Sequence, residues 1–283
     1  MKRRKAKHRG LRLSLKVILH AFLVVGACCA YVGNGDGITV TTSLAERKTI
    51  TLPDQTVLEL NAMTSIVLQE NAGRRKVVMA QGEVRASLNH GVSKPMDVVV
   101  NHLLLEDVGT QYDVLSHEGT TEVSVTAGQI RAYECRSDGT HTNPIAINKP
   151  RPGRDPAYLT AGDSARFQEH DGTILIAKNP NDLQSARERA GWVNGELDTK
   201  RQPLDLIVWE LNRYNTVHIV VDDPELARIM IGGHYRLIGV DAFLSALHGL
   251  GLEAVLVRES DSGMDPTYLL RRMTDESRHA SHR

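Results

Sequence analysis

Between Thr39 and about Ile176, apolar residues recur mostly at every second position in short runs such as "TITLPDQTVLELN", "RRKVVMAQGEVRASL" and "TTEVSVTAGQIRAYE". Strand side chains point alternately to the two faces of a sheet, so this period predicts strands with one face in a core. Turn signals at Pro53-Asp54, Asn71-Ala72-Gly73, Asn101-His102, Glu118-Gly119 and Ser137-Asp138-Gly139 separate the runs, and no amphipathic helix interrupts them. The fold class is therefore mainly β, with an antiparallel sandwich, a barrel or a β-solenoid over residues 38–180. Three segments echo one another: "AQGEVRA" (Ala80 to Ala86), "TAGQIRA" (Thr126 to Ala132) and "TAGDSARF" (Thr160 to Phe167). Each puts a glycine between two strands, where a tight turn calls for positive φ. The proline-rich "NPIAINKPRPGRDPAY" reads as a loop within this unit, since the echo resumes after it.

The period then changes. Pro203 opens a helix with Leu204, Ile207, Val208 and Leu211 at helical spacing, and Val240, Phe243, Leu244 and Leu247 line one face of a second. Strands at Trp192 to Leu197, "VHIVVDD", "RIMIGGHYRL" and "EAVLVRE" complete the order β-α-β-β-α-β over residues 190–260. This is a small α+β module with two helices on one face of a sheet, and its exposed edge strands are docking places. Residues 261–283 read as a polar tail.

Charge changes the picture only at the start. Acidic and basic residues number 34 each, but eight basic residues precede the first acid, Asp36. The remainder carries 26 basic against 34 acidic residues, which argues against a nucleic-acid-binding body. Residues 1–12 form a basic cytoplasmic stub, and residues 13–33, containing "VILHAFLVVGACCAYVG", read as a transmembrane signal anchor with the N-terminus in the cytoplasm. A signal peptide cleaved among Gly26 to Ala30, or a lipoprotein signal ending at Cys28, is the competing reading. All three carry the bulk of the chain out of the cytoplasm. Beyond this segment only Cys135 remains, so no internal disulfide forms there, no ligand cluster marks a metal, and no motif calls for a cofactor.

One feature in a strand-like stretch breaks the rules of strands. In "EDVGTQYDVLS" the alternation puts Val108, Thr110, Tyr112 and Val114 on one face, yet Gly109 sits inside it. A strand glycine marks a bulge or a close backbone approach.

The segments "LPDQTVLELNAMTSI", "GEVRASL…KPMDVVV", "VGTQYDV", "VSVTAGQIRAY", "YLTAGDSARF" and "GWVNGELDTKRQPLDLIVWELNRYN…GGHYRL", in that order, resemble the successive motifs of the FecR family. These are membrane-spanning regulators that couple outer-membrane TonB-dependent receptors to cytoplasmic sigma factors. The resemblance runs from about Thr49 to Val257, and the last module resembles the short domain at the N-termini of secretins and TonB-dependent receptors. Departures are Gln55 for the usual first-turn glycine, Ala86 for an aromatic and Met96 for phenylalanine. The family's helical cytoplasmic anti-sigma domain has no counterpart in residues 1–12. The resemblance implies three partners: the signalling domain of a TonB-dependent outer-membrane receptor, a sigma factor or a separate anti-sigma chain, and the inner membrane. It implies an inner-membrane protein, mostly periplasmic, that acts by binding and is not an enzyme. A structural or docking component of an envelope assembly, or a self-cleaving sensory protein, is the alternative. Some relatives cut themselves at the Gly-Thr of this motif by an N→O acyl shift, in which Thr110 Oγ would attack the Gly109 carbonyl. The bland reading makes Gly109 a bulge and Thr110 a strand hydroxyl bonded to backbone. Of the remaining candidates, Trp192 reads as an anchor of the domain junction, Trp209 as a core residue of the helix, and His218 and His234 as partly buried hydrogen-bonders. Gly232-Gly233 reads as a turn or bulge.

Overall fold

The protein was examined as a computed structural model, which describes residues 37–71, 73–89, 91, 95–107, 109–135, 141–144, 158–170, 173–179, 182–258 and 265–273. The proposed membrane segment and residues 145–157 of the proline-rich loop lie outside these residues. Among the described residues no helix is long and apolar enough to cross a membrane.

Fourteen strands form the first unit: β1 (Ile38–Thr41), β2 (Lys48–Thr51), β3 (Val57–Leu60), β4 (Ser65–Asn71), β5 (Arg74–Ser87), β6 (Met96–Val100), β7 (Leu103–Asp107), β8 (Gln111–His117), β9 (Thr120–Ala127), β10 (Gln129–Cys135), β11 (His141–Pro144), β12 (Tyr158–Thr160), β13 (Ser164–His170) and β14 (Thr173–Asn179). They belong to one curled sheet whose hinge is the long strand β5. Its first half pairs with β4 and, in parallel, with β6; its second half pairs with β3 and β8. The switch falls at Gly82, with φ +97°, where a Cβ would lie 2.5 Å from Thr64 Cα. The alternation read from the sequence places Leu58, Leu60, Ile66, Val77, Met79, Met96, Leu105, Tyr112, Val114, Val123, Ile130 and Phe167 in one core between the two halves. Burying such side chains stabilises by roughly 1.5–3 kcal/mol each.

All three echo glycines have positive φ: Gly82, Gly128 (+76°) and Gly162 (+90°). Gly128 and Gly162 stand between strands as expected. Gly82 does not, because β5 runs on through it. The family's missing first-turn glycine also has a physical counterpart, since exposed Gln55 takes φ +65° and its amide donates to the Leu52 carbonyl at 2.9 Å.

After α1 (Leu183–Arg189), capped by Asp182, a 3-10 segment (Ala190–Asn194) ends at Gly195 with φ +80°. The second unit follows: β15 (Glu196–Pro203), α2 (Leu204–Asn212), β16 (His218–Val220), α3 (Pro224–Ala227), β17 (Met230–Arg236), α4 (Asp241–Gly249), β18 (Leu252–Arg258) and β19 (Thr267–Arg272). The helical spacings hold: Leu204, Ile207, Val208, Leu211, Val240, Phe243 and Leu247 are buried together, with Leu244 half-buried against them. Several details differ from the sequence reading. Trp192 lies in the 3-10 segment, because the first strand begins only at Glu196. The assumed polar tail contains β19, which completes a three-stranded sheet in the order β16-β19-β18 and buries Leu270. β15 and β17 form a separate two-stranded ribbon. Gly232 and Gly233 lie within β17, opposite the register shift of β15 between Thr199 and Gln202. His218 and His234 are exposed, His234 beside Glu196 and Asp198, since both side chains face outward from short strands.

Candidate functional site

Gly109 and Thr110 precede β8; its pairing starts only at Gln111, so the strand does not include Thr110 as the alternation suggested, and Val108 lies outside the described residues. The reason is local. The Asp107 carboxylate accepts from the Gly109 amide at 2.9 Å, an Asx turn that carries Gly109 to φ +97°. A second glycine turn packs against it: a Cβ on Gly128 would lie 2.8 Å from the Gly109 carbonyl oxygen. Thr110 joins the two turns by donating its hydroxyl to the Gln129 carbonyl at 2.7 Å, and its own carbonyl accepts from the Leu88 amide at 2.9 Å. Both residues are buried. The glycine thus permits a close backbone approach, and the threonine hydroxyl is directed at a carbonyl.

The more elaborate constellation is one the sequence did not announce, the seam between the two units. Residues on turns of the β unit meet the end of α2 and the 3-10 segment. The Ala45 amide donates to the Arg213 carbonyl at 2.9 Å, and Arg47 Nη1 reaches the carbonyls of Trp192 and Val193 at 2.7 and 2.5 Å. Trp192 anchors the junction, as its sequence position suggested: it is buried with Ala62, Tyr214 and Leu237, and its Nε1 donates to Asp113 Oδ1 at 3.2 Å.

Arg213, only 3% exposed, is the centre of the seam. Its Nε and Nη2 donate to the Ala62 carbonyl at 2.9 and 2.6 Å, so a neutral acceptor occupies most of its fork. Nη1 then faces two carboxylates, Glu210 at 2.8 Å and Glu83 at 3.4 Å. Above it lies Trp209, 4.5 Å from the guanidinium carbon and 4.2 Å from the His117 ring. Trp209 is therefore a seam residue, half-buried, rather than part of the module's own core. Asn61 donates to Glu83 Oε2 at 2.6 Å and accepts from the Tyr214 hydroxyl. Beside this group, Glu122 accepts from Arg166 and Arg189, and Arg85 stands 3.4 Å from Asp113. A cavity of about 40 Å³ opens among Glu83, Asp113, Glu122, Ser124, Arg189 and Glu210.

Burial dominates the electrostatics here. It pushes the carboxyls of Glu83 and Glu210 up, that of Asp113 up to about 6, and the Tyr214 phenol up beyond its ordinary range, and it holds the His117 imidazole down. Nothing in this arrangement pairs a nucleophile with a base. It is the geometry of a polar clamp: Arg213 meets Ala62 and Glu83, Tyr214 meets Asn61, and Trp192 meets Asp113 only while the two units are together.

The free edge of the module is the other surface suited to binding. β18 borders the three-stranded sheet and exposes Leu256 and Val257. Among the described residues no group of histidines, cysteines and carboxylates suits a metal ion.

Residues 38–131 match the family model described as FecR protein. The chain carries a FecR domain. The match covers β1 to the start of β10, including the Gly109–Thr110 turn and the seam residues Asn61, Glu83 and Asp113. The fold extends further than the FecR domain: two crystal structures of a "putative anti-sigma factor" from Parabacteroides distasonis ATCC 8503 are similar to it. At 21% and 22% identity, both with a TM-score of 0.64, they cover 84% of this chain and are themselves covered completely. No curated protein matches.

Proposed function

We propose that this chain is a FecR-type sigma-factor regulator, anchored in the inner membrane, whose periplasmic part receives a signal by protein-protein binding. The FecR domain carries the reading, and the similar fold of a protein described as an anti-sigma factor supports it. In this reading the module is the receiving element. The open edge of β18 adds a strand from the signalling domain of a TonB-dependent outer-membrane receptor, main-chain hydrogen bonds supplying affinity and the exposed Leu256 and Val257 supplying contacts. The polar seam then passes the change in the module to the FecR domain. Blunting the edge tests this. Leu256→Lys with Val257→Lys alters only exposed side chains, so folding should change by less than about 0.5 kcal/mol per site. A reporter driven by the cognate sigma factor should no longer respond to inducer. An unchanged response would remove β18 from the account.

A second reading concerns Gly109–Thr110, where the buried positive-φ turn motivates an N→O acyl shift. Thr110 Oγ would attack the Gly109 carbonyl and the resulting ester would be hydrolysed, leaving two fragments held by pairing of β5 with β8. The purified chain would then run as two fragments on denaturing gels, Thr110→Ala would remain intact and Thr110→Ser would still be cut. An intact wild type would leave the turn purely structural.

A further inference from the structure

We propose that the seam closes with Glu83 in its neutral, protonated form, so that docking of the module on the FecR domain takes up a proton. Carboxylates and cations are unequally buried in the seam. Four carboxylates of the seam, Glu83, Asp113, Glu122 and Glu210, are each less than a tenth exposed, and the only cation there buried to the same degree is Arg213. The other cations are more exposed and committed elsewhere. Arg166 and Arg189 both serve Glu122, and Arg85 stands against Asp113.

Arg213 therefore meets both carboxylates through Nη1 alone, because its Nε and Nη2 turn to the Ala62 carbonyl. Distance decides between them. Glu210 holds a 2.8 Å charge-assisted hydrogen bond, whereas Glu83 lies at 3.4 Å and has its short contact, 2.6 Å, with the neutral amide of Asn61. The Tyr214 hydroxyl fixes that amide by donating to Asn61 Oδ1, which turns the NH2 group to Glu83. Facing Glu83 from β8 is Asp113 and from α2 is Glu210, both raising the cost of a second negative charge. An ionised carboxylate in a dry site without a cation of its own is unfavourable by several kcal/mol, whereas the acid form is not. The cavity beside it gives the acid hydrogen a polar wall of oxygens and room for a water molecule.

The chain supplies its own reporter. Its two tryptophans, Trp192 and Trp209, both sit in the seam. Opening exposes them to water, so the emission of the full chain in detergent follows the seam during a urea titration. The window is pH 7–8.5, chosen because Asp113, raised to about 6, is ionised there and His117, held below its ordinary value, is neutral. The Glu83 carboxyl is raised in the closed state. Closure is therefore favoured at low pH and loses that advantage as pH rises. For one proton the opening constant should increase up to tenfold per pH unit. Glu83→Gln should flatten the dependence, and Glu210→Gln, which frees Arg213 Nη1 for Glu83 and removes a facing charge, should weaken it. A wild-type opening constant that is the same across the window overturns the proposal, as does a slope that survives Glu83→Gln or that Glu210→Gln leaves unchanged. Independently of any variant, the carbon NMR resonance of the Glu83 carboxyl at pH 7 should be that of an acid, and a carboxylate resonance overturns the proposal.

Discussion

Replacing Arg213 with methionine tests the clamp directly, because it keeps the length of the side chain while removing its charge and all its donors. Three losses follow. The Ala62 carbonyl loses two donors, Glu210 loses its 2.8 Å partner, and Trp209 loses the guanidinium over its ring. Breaking one side of a buried ion pair costs about 3–5 kcal/mol, largely because the surviving charge is left dry and unpaired. Against a total stability of about 5–15 kcal/mol for a domain, this is enough to open the seam. The core of the FecR domain contains none of these groups, so its strands should survive. Urea titrations followed in parallel by tryptophan emission and far-ultraviolet circular dichroism would separate the two events, with emission changing at lower urea in the variant. Adding Glu210→Gln to Arg213→Met should recover much of the loss, since a neutral group is far cheaper to bury than a lone charge. A loss under about 1 kcal/mol for Arg213→Met, or no recovery in the double variant, would refute the reasoning.

Three further outcomes can be measured by the same titrations. The Tyr112 hydroxyl is buried and has no hydrogen-bond partner among the described residues, so Tyr112→Phe should be neutral or stabilise by up to about 2 kcal/mol; a loss above 1 kcal/mol would reveal a partner. Gln55 holds a left-handed conformation that disfavours side chains by about 1–2 kcal/mol, so Gln55→Gly should raise stability by about 0.5–1 kcal/mol after the entropy of glycine is subtracted. For Asp113 the folded carboxyl is raised to about 6 by burial, so its contribution is complete below the unfolded pKa of about 3.9 and is lost as pH rises through 6. The stability difference between wild type and Asp113→Asn should therefore shift in favour of Asn by about 2–3 kcal/mol between pH 4 and pH 7, and a constant difference would contradict the burial argument.

The sequence made some of this legible because the signals were local. Alternation located the β core, and helical spacing located the buried faces of α2 and α4. The glycine echo anticipated three positive-φ positions, and it misread only Gly82, where the turn geometry serves a strand that crosses between sheet halves. β19 escaped notice because "TYLLRR" buries a single residue completely, Leu270, within a polar stretch. The seam escaped for a different reason. Glu210 and Arg213, three apart on a helix, have the spacing of an ordinary solvated pair. What makes them a buried clamp is Glu83, 130 positions earlier, and no pattern within either segment points to the other. Gly109–Thr110 lies between these cases: the sequence marked the glycine as exceptional, and only the structure supplied the Asx turn and the facing Gly128.

The central claim, that the module receives a signal through the edge of its three-stranded sheet, is tested most directly by amide chemical-shift mapping. The protein from Gly37 onward would be titrated with the isolated signalling domain of a TonB-dependent outer-membrane receptor. The account predicts saturable shifts concentrated in β18, Leu252 to Arg258, with weaker changes carried to Trp192 and Arg213 at the seam. The absence of any shift, or shifts confined to the FecR domain and leaving β18 untouched, would contradict it.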